Sequence, residues 1–164
     1  VIIDKVDLND RATKNTKFLI LPTNKAGSGE VVCGEKMSRF LTLYKVNNIP
    51  EAIELAIQIQ EYQGSGHSIG IHTKNYERAH EIAMKAKTCR VIVNQAHCFA
   101  TGGFFNNGLP FSLSMGCGSW GGNSIDGNLN WEHFVNKVRV VKTIKENKPE
   151  LAEVFGDFWK ETSK

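Results

Sequence analysis

The spacing of hydrophobic positions changes several times along the chain, and each change predicts an element. The run "KFLIL" (17–21) has the length and composition of a short buried strand, and "PTNKAGSGE" after it reads as a loop. "FLTLYKV" (40–46) reads as a second strand. Helix signals follow directly: Asn47 and Asn48 as candidate caps, Pro50 in the first turn and then Glu51. Ala52, Leu55, Ala56, Ile59 and Tyr62 share one face, which predicts an amphipathic helix of about 13 residues. "GSG" (64–66) ends it.

The alternation then repeats. "SIGIHT" (68–73) predicts a strand, "NYERAHEIAMKAK" (75–87) a helix, and "CRVIVN" (89–94) another strand. Strand, helix, strand, helix, strand is the mark of βαβ units, so the fold class is α/β with a mainly parallel sheet and flanking helices. Ligands of such sheets bind beyond the carboxyl ends of the strands. Here those ends run through "NQAH" into two glycine-rich stretches, "TGGFFNNGLPFSL" and "MGCGSWGGNS". Glycine clusters mark turns or a close approach of the backbone to a ligand, a strand or a second subunit. After Ser124, "NLNWEHFVNKVRVVKTI" predicts a helical turn and an alternating strand near 138–144. The tail, 146–164, is polar but carries Phe155, Phe158 and Trp159, rings that suggest docking on a surface.

Composition narrows the function classes. The 164 residues carry 20 basic and 17 acidic side chains, mixed along the chain, so there is no stripe for nucleic acid. No apolar run reaches the roughly 20 residues of a membrane span, and no signal peptide is recognisable. The four cysteines form no CxxC pair, which suits free thiols in a reducing, cytoplasmic setting. His97, Cys98 and Cys117 lack zinc spacing, so no metal site is expected. Cys89 opens an apolar strand and reads as a core residue, and His72, His80, His97 and His133 carry no functional expectation. There is no phosphate-binding loop. Periodicity and spacing alone therefore give a ligand-binding α/β domain.

The motifs give more. "GEKMSRFLTLYKVNNIPEAIELAIQIQEYQGSGHS", "CRVIVNQ" and "GCGSWGGNSI" occur in the same order in the C-terminal part of the aldehyde dehydrogenase superfamily, and the chain resembles its CoA-acylating branch from about residue 15 to 145. That resemblance implies part of a catalytic domain over 1–145, with an oligomerisation strand near 138–144, followed by a tail. It also implies a nicotinamide cofactor (NAD or NADP), coenzyme A as co-substrate, and a homo-oligomer (dimer or tetramer). In that chemistry a cysteine thiolate attacks the aldehyde, and the resulting thioester passes to coenzyme A. The implied substrate is an anionic aldehyde: sulfoacetaldehyde, with succinate semialdehyde as the alternative. The family's nucleophile and dinucleotide fingerprint lie upstream of the "EK" motif and have no counterpart here. With Val1 in place of Met, this leads to the expectation of an incomplete chain, inactive alone. A different class, a non-catalytic binding or assembly module, is the other expectation.

Residue by residue, the resemblance assigns Glu35 to the nicotinamide ribose and His67 to the coenzyme A thiol as a general base. Met115 and Gly116 match positions lining the nicotinamide pocket, and the glycine-rich segment around them corresponds to one that closes over aldehyde and nicotinamide. Gln95, Thr101, Asn106 and Asn107 fall in the segment expected to contact the distal end of the substrate. Arg39 stands where proline is usual and reads as a solvated arginine, and Trp120 reads as a packing anchor.

Overall fold

The computed structural model describes residues 15–162. Two parallel strand pairs carry the α/β pattern. Strand β1 (Leu19–Pro22) pairs with β2 (Phe40–Leu43), in register Leu19 to Phe40, and a loop with a short 3-10 turn at Val31–Cys33 joins them. Strand β3 (Ile69–Ile71) pairs with β4 (Val91–Val93) across the crossover helix α2 (Glu77–Lys85). These are the expected strands with shifted ends, β1 taking in Pro22 from the predicted loop and the others shortened, and they form two separate two-stranded sheets among the described residues.

Helix α1 (Ile49–Gln63) links the pairs. Its start follows the sequence signal: the Asn48 side chain accepts a hydrogen bond from the Glu51 amide, and Pro50 sits in the first turn. The Glu51 carboxylate in return accepts from the Asn47 amide at 2.9 Å. That bond, with further ones from the Asn47 and Asn48 side chains, holds the Glu51 carboxyl below its usual range against the opposing effect of desolvation. The buried face of α1 differs from the predicted one. Ile53 is its buried residue, and Ile53 packs with Ile82 and Ala86 of the α2 segment. Ile49, Ile57, Ile69, Ile71 and Val91 close over this small core. The i, i+4, i+8 stripe Ile49, Ile53 and Ile57 faces the strands, while Leu55 and Ile59 are half-buried and Tyr62 is exposed.

Contacts divide the described chain into two compact units on either side of the His133–Phe134 bond. In the second unit, a helix (α4, Leu151–Thr162) carries Phe155 and Trp159 with ring centroids 6.0 Å apart. Within this single chain residues 135–150 form no strand, and Val138, Val140, Val141 and Ile144 of the strand expected near 138–144 are exposed. Alternation supplies a strand's side-chain pattern but not a partner for its backbone groups, and no described segment pairs with it.

Candidate active site

Three loops of the first unit meet around a cleft of 810 Å³ lined by Glu35, Gln63, His67, Cys117, Trp120 and Asn123 among others. The last residue of α1 sets one wall: Gln63 accepts a hydrogen bond from the Glu35 amide at 2.7 Å. The Glu35 side chain is exposed, and its carboxylate makes no hydrogen bond among the described residues. His67 forms the opposite end of the same α1–β3 connection. The glycine loop supplies the third wall. At Gly66 (φ +104°) an added Cβ would lie 2.2 Å from the Cys117 carbonyl oxygen, and at Gly116 one would lie 2.0 Å from that of Ile125. Glycine is needed at both positions because backbone meets backbone there. The glycines of "MGCGSWGGNS" thus let the chain pack on itself beside the cleft. Trp120 is half exposed on the rim, so it is not the packing anchor expected.

A buried arginine holds two of these walls together. Arg90, at the start of the β4 segment, is 5% exposed. Its Nη1 donates to the carbonyl oxygens of His67 (3.0 Å) and Gly116 (3.1 Å), and its Nε donates to Asn128 Oδ1 (3.0 Å). Asn128, 1% exposed, passes the connection on by donating to the carbonyls of Thr101 and Pro110. Sequence reasoning missed Arg90, since an arginine before an apolar strand reads as an ordinary solvated cation.

The imidazole of His67 has a partner of its own. Its Nδ1 hydrogen-bonds the Ser68 hydroxyl, which lies 2.8 Å from His97 Nε2. Burial, and secondarily the neighbouring His67, pushes the His97 imidazole below its ordinary pKa, favouring the neutral ring. The thiol of Cys89, half-buried, is shifted upward chiefly by burial.

The other expected residues divide sharply. Gln95 and Asn106 line a separate 300 Å³ cavity with Phe99 and Phe104. Thr101 and Asn107 serve the chain instead. Thr101 is buried, and its hydroxyl donates to the His97 carbonyl. Asn107 donates to Gln95 Oε1 and the Ala100 carbonyl while accepting from the amides of Phe104 and Leu109. Those four bonds use the whole capacity of Asn107, and Thr101 is enclosed by the chain. Met115 is half-buried in an antiparallel bridge to Asn128, and Gly116 is buried; neither lines the cleft. Arg39 is exposed, as expected.

No protein-family model matches the chain. Curated relatives do. Sulfoacetaldehyde dehydrogenase (acylating) of Cupriavidus necator is 44% identical over 90% of this chain and 30% of its own length. Succinate-semialdehyde dehydrogenase (acetylating) of Clostridium kluyveri is 39% identical over 89% of this chain and 32% of its own. An acetylating aldehyde dehydrogenase from Geobacillus thermoglucosidasius superposes with a TM-score of 0.73 at 28% identity, over 85% of this chain and 30% of that one. The chain is a relative of the acylating aldehyde dehydrogenases. It spans about 30% of the length of such enzymes, and its α/β fold is theirs over that span. Among the described residues no helix is long and apolar enough to cross a membrane.

Proposed function

We propose that the chain supplies one part of an NAD(P)-dependent, CoA-acylating aldehyde dehydrogenase that converts sulfoacetaldehyde to its coenzyme A thioester. The observation that carries this reading is the single cleft to which Glu35 and His67, distant in sequence, both contribute. The cleft fits a nicotinamide ribose at one point: the Glu35 carboxylate is exposed and has both oxygens free to accept from vicinal hydroxyls. Bonds from a charged acceptor of this kind contribute about 1.5–3 kcal/mol each. The cofactor, when bound, supplies the oxidising power of the reaction. The His67 imidazole takes the proton of the incoming thiol and so raises the fraction of attacking thiolate.

Residues 1–145 belong to the catalytic domain in this reading, with 146–164 as its tail. Gln95 and Asn106 are the contacts for the distal anionic group of the aldehyde, and the enzyme works as a cytoplasmic homo-oligomer. Succinate semialdehyde remains a second substrate reading, because the Clostridium relative matches over nearly the same span. Comparing kcat/KM for the two aldehydes with coenzyme A and each nicotinamide cofactor, in an enzyme carrying this segment, tests the assignment. A preference of tenfold or more for sulfoacetaldehyde is expected. Turnover of neither aldehyde would overturn the reading.

A further inference from the structure

Ser68 has one hydroxyl proton and stands between two ring nitrogens, His67 Nδ1 and His97 Nε2. Three arrangements satisfy both contacts, because the hydroxyl oxygen has two lone pairs beside its one proton. In the first, His67 Nδ1–H donates to Ser68 Oγ and the Ser68 hydroxyl donates to His97 Nε2. In the second, every donor and acceptor is reversed, and the His67 proton sits on Nε2. In the third, both rings donate to Ser68 Oγ. The second alone occupies His67 Nε2 with a proton; in the other two that nitrogen keeps its lone pair, and a proton can arrive there without any other hydrogen moving.

We propose that Ser68 and His97 are positioning residues for His67, holding it as the Nδ1–H tautomer so that Nε2 is free to accept the proton of an incoming thiol. The fold reserves the space for this. His97 stands at the first turn of α3 (His97–Ala100), after β4, and its ring lies over Gly70 of β3, where a Cβ would come within 2.6 Å of His97 Nδ1. The His97 carbonyl is held in turn by the Thr101 hydroxyl at 3.1 Å. Half-burial favours the neutral His97 ring, which has one ring nitrogen able to accept.

The inference rests on the thiol-acceptor reading of His67 above. In that step the S–H bond of coenzyme A breaks and its proton moves to His67 Nε2. The sulfur electron pair forms the new C–S bond to the acyl carbon as the enzyme's cysteine leaves as thiolate. That thiolate then recovers the proton from His67 Nε2. Ser68 and His97 exchange no atoms; they orient the base, as the third member of a nucleophile–base–orienter set does.

Long-range ¹H–¹⁵N spectra of histidine-labelled protein read the tautomer directly. The expected result is Nδ1–H at His67 in the wild-type chain, lost in Ser68→Ala and in His97→Phe, and retained in His97→Gln, whose amide can still accept. A wild-type Nε2–H tautomer at His67, or one indifferent to all three substitutions, overturns the proposal; the wild-type spectrum decides even if a variant fails to fold. Kinetics of the intact acylating enzyme separate the two readings. His97→Phe is expected to slow acyl transfer to coenzyme A about 10–100-fold relative to the preceding oxidation step, the usual worth of a partner that orients a histidine, with His97→Gln restoring most of it. If His67→Ala leaves acyl transfer unchanged, the thiol-acceptor reading fails. If His67→Ala slows transfer and neither Ser68→Ala nor His97→Phe does, the positioning role fails while that reading stands.

Discussion

The two cavities that hold the expected site residues use polar side chains in opposite ways. Around the larger cleft the backbone is held from behind, by Arg90 on the carbonyls of His67 and Gly116 and by Gln63 on the amide of Glu35. The Glu35 carboxylate and the His67 Nε2 are therefore left for something else. Around the smaller cavity Asn107 and Thr101 hold the loop with their own side chains, and of the four residues expected there Gln95 and Asn106 line its wall, Gln95 Oε1 accepting from Asn107. A polar residue in a functional segment is available for chemistry only where another group has taken over the structural work.

Removing a support from behind the larger cleft should have the greatest effect. Arg90→Ala strips the partner from three buried or half-buried acceptors at about 1–3 kcal/mol each, so a loss of about 3 kcal/mol or more is expected in urea unfolding. Arg90→Lys should recover only part of it, because one ammonium cannot reproduce the planar fork. A loss below about 1 kcal/mol would mean the two walls hold without the arginine.

Asn107→Ala comes next. Its four local bonds lie in a partly exposed loop, so about 1–3 kcal/mol is expected, with exchange protection lost at the amides of Phe104 and Leu109. An unchanged stability combined with a raised KM for the aldehyde would return Asn107 to the substrate site and collapse the contrast between the cavities.

A smaller effect concerns pH. The His97 imidazole is harder to protonate folded than unfolded, so the fold loses stability as pH falls through and below the ordinary histidine value near 6.5 and regains it above. His97→Gln should flatten this part of the stability profile. An unaltered profile in that variant would place the pH dependence elsewhere.

Glu35→Gln should change stability least, within about 0.5 kcal/mol, since its carboxylate holds nothing in the fold. Its expected effect is on activity: a slower oxidation step and a raised cofactor KM at an unchanged aldehyde KM. Normal oxidation by that variant would remove Glu35 from the site.

Much of the fold was legible from local chemistry. Asn48 and Pro50 announced α1, Gly64 ended it, and the strand–helix–strand alternation over 68–94 foretold the parallel pairing of β3 with β4. Resemblance of motifs brought Glu35 and His67 forward, and the cleft joins them. The burial of α1 was misread because two apolar stripes share that helix, and only the strands beneath select between them. The local bonds of Thr101 and Asn107 were not legible because an amide or hydroxyl looks the same in sequence whether it faces a ligand or caps its own loop.

What the sequence determined by itself is therefore the set of elements within reach of neighbouring residues: caps, turns, periods and the order of strands and helices. The supports of the cleft were decided only by tertiary structure. Arg90 reaches His67, Gly116 and Asn128 at separations of 23, 26 and 38 residues, and Ser68 meets His97 across 29. Side-chain hydrogen bonds act over about 3 Å and carry no periodic trace along the chain. The pairing of β3 with β4, and the glycines that let the loop at 116–118 close against Gly66, bring those groups within that distance.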